Sequence, residues 1–267
     1  MLEFDDRAAR GIQRVYSTPD VVAQRAEVLA LLVARPGERV LDVGSGPGFL
    51  VASLAEAVGP TGAVHGLDPS GPMNALAREL TAAQDWVHID EGDALALPYP
   101  DAAFDVAVST QVYEYVSDIP AALAELRRVL RPGGRALVLD TDWDSLVWSV
   151  ADRERHRRVL AAWDEHLADP HLPATLAGQL RRAGFRVTDR TLVPLFNPRY
   201  EPDTYSAMTM ETIARFVVGR QGLTAADADG WLDDLRTRGA QDDYLFSVNR
   251  YCFLALADGS TDGPADG

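Results

Sequence analysis

Val40-Leu41-Asp42-Val43-Gly44-Ser45-Gly46-Pro47-Gly48 is the stretch whose reading decides the fold. Leu41 and Val43 read as buried positions of an apolar strand. Glycines then fall at alternate positions, 44, 46 and 48, where a tight turn lets the backbone come close to a bound molecule. A strand running into an acid and such a turn describes a cradle for a nucleoside. The dinucleotide fingerprint Gly-x-Gly-x-x-Gly would need a third glycine at the position of Phe49, where it packs helix on strand.

The surrounding composition narrows the class. A chain of 267 residues is long for one domain and short for two, and 47% hydrophobic with 24% charged residues is ordinary for a globular protein. The net charge of −15 argues against nucleic acid, whose binding depends on neutralising phosphates with Lys and Arg. The chain has Arg but no Lys, and the clusters Arg127-Arg128 and Arg153 to Arg158 read as solvated helix faces. Cys252, the single cysteine, lies between Tyr251 and Phe253 and reads as a buried strand residue. With no signal-like start and no apolar run of about 18 residues, the expectation is a cytoplasmic protein without a membrane partner.

Outward from the turn, strands and helices alternate. A helix over 21–35 stops at Pro36-Gly37; the first strand covers 38–43, a helix 49–58, and the second strand 63–67 ends at Asp68. A helix over 72–80, a strand over 86–89, a strand over 104–109 and a helix over 119–130 lead to Arg131-Pro132-Gly133-Gly134 and a fifth strand at 135–139. Strands are then expected at 185–195 and 244–257, with helices near 152–168, 173–183, 203–219 and 224–239. Strands that are apolar throughout indicate a parallel sheet covered on both faces. Residues 258–267 read as a frayed tail.

Over residues 36–140 these motifs resemble the class I S-adenosylmethionine-dependent methyltransferases, most closely the subgroup acting on small molecules such as quinones and natural products. Asp42 and the turn Gly44, Ser45, Gly46, Gly48 resemble the family's first motif, and Gly66-Leu67-Asp68-Pro69-Ser70 its second. Gly92-Asp93-Ala94 resembles its adenine motif, while Phe104-Asp105-Val106 and Leu126 to Arg135 resemble the fourth strand and the corner before the fifth. The resemblance implies an α/β, Rossmann-like three-layer sandwich: a mostly parallel seven-stranded sheet with an antiparallel last strand and a helical lid. It implies one domain over 1–257, with an N-terminal helical cap at 1–35, a cofactor-binding core at 36–140, and a substrate-side half at 141–257 whose lid spans about 150–240.

It also implies roles. S-adenosylmethionine would be the cofactor and a small molecule the acceptor, with oligomeric state open. Asp68 would accept hydrogen bonds from both ribose hydroxyls, with Pro69 beside it; a carboxylate suits that task because it accepts two donors at once. Asp93 would receive the adenine amine, with the backbone of Ala94 facing the ring. Tyr16 and Arg25 lie where a helix folds over the cofactor, and Gln111 where backbone meets the sulfonium.

Methyl transfer is a direct displacement on carbon, so alignment and exclusion of water matter most, and a base is needed only for a protonated nucleophile. The family often has a His before Val116-Ser117-Asp118; this chain has Tyr113-Glu114-Tyr115, candidates for orienting substrate or taking a proton. Asp142 and Trp143, after the fifth strand, are candidates for the substrate pocket. A calcium loop over Asp140-Thr141-Asp142-Trp143-Asp144 would want Gly and Glu where Ser145 and Ala151 stand, so no metal is expected. His65 and His88 read as structural, and His166, about one helical turn after Trp163, as facing the pocket. Two alternatives stand beside this reading: a nicotinamide-dependent oxidoreductase, and a protein that keeps the cofactor fold without transferring methyl.

Overall fold

The computed structural model describes residues 6–258. The tail expected at 258–267 lies, apart from Asp258, outside the described residues, as do residues 1–5. In chain order the elements are α1 (Asp6–Val15), α2 (Pro19–Leu32), β1 (Arg39–Val43), α3 (Phe49–Val58), β2 (Ala63–Asp68), α4 (Gly71–Leu80), β3 (Val87–Glu91) and β4 (Phe104–Thr110). There follow α5 (Ile119–Val129), β5 (Leu130–Trp148), α6 (Arg153–Asp164), α7 (Pro173–Arg182), β6 (Phe185–Asn197), α8 (Tyr205–Val217), α9 (Ala225–Ala240) and β7 (Phe246–Ala257). A single 3-10 turn, Tyr113–Tyr115, joins β4 to α5.

The seven strands form one sheet in the order β3-β2-β1-β4-β5-β7-β6. Strands β1 to β5 pair in parallel, and β7 runs antiparallel to both neighbours, β5 and β6. From β1 the chain winds outward to β3, then crosses back to place β4 on the other side of β1. That reversal opens a crevice at the carboxyl ends of β1 and β4, where open α/β sheets bind ligands.

Successive strand residues point to opposite faces, and both faces are covered. Val40, Val64, Val106 and Leu137 pack under α2 and α3 with Val28, Leu32, Leu54 and Val58. Leu41, Ala107, Ala136 and Val138 pack under α5 and α7 with Leu123, Leu126, Leu176 and Leu180. Each fully buried Val or Leu among these contributes about 1.5–3 kcal/mol relative to exposure. A third cluster joins α6, α8 and α9 through Trp163, Met210, Ile213 and Trp231 to Trp148, Leu195, Phe246 and Val248 on the far ends of β5, β6 and β7. These helices fall in the segment expected as the lid.

Several expected boundaries move, among them the end of α6, which falls at Asp164 and not near 168. Helix α2 stops at Leu32 because Val33 turns left-handed (φ 50°) and returns its N–H to Leu29 C=O. More consequentially, β5 does not end at Leu139. It continues to Trp148, pairing Asp142 with Asn249 and, past a bulge, Val147 with Ser247. Ser145 Oγ closes the bulge by donating to Asp142 C=O at 2.5 Å and accepting Asn249 N–H at 2.9 Å. A bulge re-aims the side chains it carries, and this one sends Trp143 into the lid cluster. Among the described residues no helix is long and apolar enough to cross a membrane.

Candidate active site

The ends of β1, β2, β4 and β7, with α1 and α2 above them, enclose a cavity of about 620 Å³. Its floor begins at the glycine turn. Gly44 and Ser45 both donate their N–H to Leu67 C=O, at 2.7 and 3.0 Å, which ties the turn to β2. Gly46 N–H donates to Asp68 Oδ2 and Ser70 N–H to Oδ1, both at 2.9 Å, so the carboxylate is fixed by two backbone donors. Burial pushes the Asp68 carboxyl up while those donors pull it back. Asp42, 1% exposed, is held well above the usual carboxylate range by burial and then by the charge of Asp68.

The glycines differ in what they do. A Cβ at Gly44 would meet Val112 Cγ2 at 2.2 Å, and one at Gly48 would meet Ala77 at 2.8 Å. Both are packing positions, and Gly48 does not line the cavity. A Cβ at Gly46 would have only Tyr16 Cε2, 3.8 Å away, so this is where the backbone is left open to a ligand.

Of the residues expected at the cofactor, Tyr16, Arg25, Asp42, Gly44, Ser45, Gly46, Asp68, Pro69, Asp93, Ala94 and Gln111 all line the cavity. Arg25 reaches Tyr16 C=O at 3.5 Å and stacks over the Phe49 ring at 4.8 Å. Asp93, at the exposed rim, orders its own loop by accepting Leu95 N–H at 2.9 Å. Gln111 has a left-handed backbone (φ 60°), unusual for a residue with a side chain. Its N–H goes to Leu139 C=O at 2.7 Å, and its Oε1 accepts Thr141 Oγ1 at 2.6 Å. Ser45 Oγ at the turn and Gln111 Nε2 at the end of β4 are buried without a protein partner.

The four side chains expected to carry chemistry separate. Tyr115 lines the cavity, with burial and Glu114 holding its hydroxyl well above its usual range. Tyr113 does not: it is fully buried in the cluster under α5, its hydroxyl unpartnered. A 3-10 turn advances one third of a circle per residue, so positions 113 and 115 cannot face the same way. Glu114, 1% exposed, accepts Thr141 N–H at 3.2 Å from beneath the site. Beside it, Asp140 Oδ1 accepts Val112 N–H at 3.0 Å and Glu114 N–H at 3.5 Å. Burial raises both acids. This pair buttresses the loop that carries Tyr115.

Asp142 lies outside the cavity, on the bulge of β5, with its Oδ1 3.3 Å from His171 Nδ1. Asp142, Asp144 and His171 bring ligand atoms within 4.8 Å of one another there, the sort of exposed cluster that forms without an ion. Trp143 and His166 belong to the lid: His166 stacks on Trp163 at 3.7 Å and meets Tyr115 only ring to ring, at 5.7 Å. Its expected place facing the pocket is therefore taken by Tyr115.

Among the lining residues that escape the sequence reading are Gln24 on α2 and Arg250 on β7. Arg250 is 3% exposed, donates to Gln24 Oε1 and stacks over Tyr205 at 4.9 Å. The signal was present, since period-2 alternation puts Arg250 on the same inward face as Val248 and Cys252.

Comparison with known proteins supplies the family. Residues 41–138 match the family description "Methyltransferase domain". A 37.1 kDa protein of unassigned function in a transposon of Streptomyces fradiae is 35% identical over 254 residues, spanning 92% of this chain and 70% of that protein. The 2-phytyl-1,4-naphtoquinone methyltransferase of Synechococcus elongatus is 45% identical over 113 residues, 40% of this chain and 47% of that enzyme. The chain thus spans about half the length of that quinone methyltransferase. Among solved structures, phosphoethanolamine N-methyltransferase 2 of Haemonchus contortus with S-adenosyl-L-methionine shares the fold at a TM-score of 0.62 and 19% identity, over 95% of this chain and 57% of that one.

Proposed function

Because the chain belongs to the class I S-adenosylmethionine-dependent methyltransferases, we propose that it methylates a small molecule held in the part of the cavity over β4 and β7. The observation that carries this reading is the placing of three acids, Asp42, Asp68 and Asp93, at the ends of the adjacent strands β1, β2 and β3, beside a turn open only at Gly46. The unpartnered Ser45 Oγ and Gln111 Nε2 fit a cofactor rich in hydroxyls and amines. Within the site, Asp68 would take the ribose hydroxyls, Asp93 and Ala94 the adenine edge, and Arg25 the cofactor's carboxylate.

When bound, S-adenosylmethionine supplies an electrophilic methyl carbon. The chain's own contribution is position and dryness. Val112 is wedged against Gly44, and Gln111 is clamped to Leu139 and Thr141, so the end of β4 is rigid. Tyr16, pushed up to about 12 chiefly by burial, keeps its proton at neutral pH. Tyr115 does likewise. Both are hydrogen-bond donors to an acceptor and poor bases.

The test is incubation with S-adenosylmethionine labelled in its methyl group and a panel of reduced naphthoquinones, phenols and amines. Reduced naphthoquinones lead the panel because of the quinone methyltransferase match. Label should pass to a phenolic or carbon acceptor. Tight cofactor binding with no transfer to any acceptor would move the assignment to a non-transferring member of the fold.

A further inference from the structure

The cavity holds a cation that the cofactor does not account for. Arg250 is 3% exposed, yet among residues 9–258, whose side chains are described, no Asp or Glu forms an ion pair with it within 4.0 Å. A buried charge is retained only when something neutralises it. Of its donors, one is met by Gln24 Oε1, while Nε is buried with no partner. Glu114 feels the Arg250 charge, but burial, the larger effect, drives it toward its neutral form, and its Oε2 is engaged by Thr141 N–H.

Position separates Arg250 from the cofactor half. It pairs with Thr141 on β5 and Val193 on β6, and lies three strands from Asp42 along β1-β4-β5-β7, about 14 Å at the usual strand spacing. The cation beside the glycine turn is Arg25, seated on Phe49 at the start of α3. Tyr115 lines the cavity with Arg250 and is close enough to feel its charge, as is Tyr16 above Gly46.

We propose that Arg250 is a specificity-determining residue that binds an anionic oxygen of the acceptor, so that the preferred substrate carries a phenolate, enolate or carboxylate. The proposal rests on the methyltransferase reading and deepens it. It also explains how a cavity lined by protonated tyrosines works without a base: an arginine beside a hydroxyl favours the ionised form, and an acceptor bound as its anion has no proton left to remove before displacement.

Two probes test this on protein saturated with S-adenosylhomocysteine. Calorimetry should show 2-naphthoate binding about 10- to 100-fold tighter than its neutral isostere 2-naphthamide, the range of a hydrogen bond to a charged group. Arg250→Gln should remove that difference and Arg250→Lys restore part of it, with S-adenosylhomocysteine affinity unchanged in both. Separately, 4-nitrophenol, whose absorbance reports ionisation, should titrate at lower pH when bound to the unaltered protein than free, a readout that needs no variant to fold. Equal affinity for the naphthoate and naphthamide, or an unshifted nitrophenol titration, would overturn the proposal. So would a loss of S-adenosylhomocysteine binding in folded Arg250→Gln, which would give Arg250 to the cofactor's carboxylate. If the unaltered protein bound no S-adenosylhomocysteine, the methyltransferase reading would fail on its own, and the naphthoate preference of the free protein would still decide Arg250.

Discussion

Asp68 Oδ2 accepts the N–H of Gly46 across 2.9 Å, joining the acid at the end of β2 to the one glycine of the turn that is open to a ligand. With Ser70 N–H on Oδ1, the carboxylate is held in place before any ribose arrives. Its orientation is a property of the folded chain, so little ordering remains for binding to accomplish.

Asp68→Ala is therefore expected to weaken S-adenosylmethionine binding by about 1.5–3 kcal/mol. Asp68→Asn, which keeps one acceptor oxygen but sets an NH2 against a backbone donor, should fall between it and the unaltered protein. Isothermal calorimetry measures both, and an unchanged dissociation constant in the alanine variant would refute the ribose role.

The three turn glycines should respond unequally to alanine. At Gly48 a Cβ would meet Ala77 Cβ and Cα at 2.8 and 2.9 Å with φ at +83°. Overpacking and a left-handed backbone together predict a loss of about 2–5 kcal/mol. Gly46→Ala meets nothing closer than 3.8 Å and should lose only the backbone share, about 1–2 kcal/mol. Urea unfolding curves would contradict the packing argument if the two variants lost equal stability.

Tyr113→Phe and Tyr115→Phe separate a core residue from a cavity residue. The Tyr113 hydroxyl is buried without a partner, so its removal should leave turnover unchanged and stability equal or higher by about 1 kcal/mol. Tyr115→Phe should raise the KM for acceptor instead. A tenfold drop in kcat on changing Tyr113 alone would show that the core placement misses its role.

Acid should destabilise the lid through His156. Trp231 Nε1 donates to His156 Nδ1 at 3.0 Å, which requires a neutral ring, and burial lowers the imidazole to about 4, against a weaker upward pull from Asp234. An unfolded histidine titrates near 6.5, so between about pH 6.5 and pH 4 the unfolded chain binds the extra proton and stability falls as pH falls. From about pH 7.5 to about pH 5 this side chain should withdraw roughly 2 kcal/mol. His156→Gln, which keeps an acceptor for Trp231, should lose less over the same interval, and parallel pH profiles for the two proteins would rule the mechanism out.

Most of the cofactor half was legible before any coordinates. Asp42, the glycines, Asp68 and Asp93 each end a strand or sit in the loop after one, and strand ends are marked by local chemistry: an apolar run, then an acid or a residue tolerant of unusual φ. The acceptor half resisted. Asp142 follows an apolar run like the others, yet its strand continues into an antiparallel pairing with β7, more than a hundred residues away, where regular register opposite Asn249 sets it on the other face from Thr141 and Arg250. Tyr113 and Tyr115 look equivalent in a Tyr-Glu-Tyr triplet until the 3-10 turn assigns one to the core and the other to the cavity.

What the amino-acid order determined alone was the alternation of strands and helices and the position of the glycine turn, because apolar period, capping and glycine placement act over a few residues. What the folded chain decided was the far wall: Arg250 meets Gln24 across 226 positions of sequence, and Glu114 and Asp140 are forced together beneath the site. Charges buried by distant segments acquire their meaning only from which partners the fold supplies and which it withholds, since the energy of a buried ion depends on its neighbours in space.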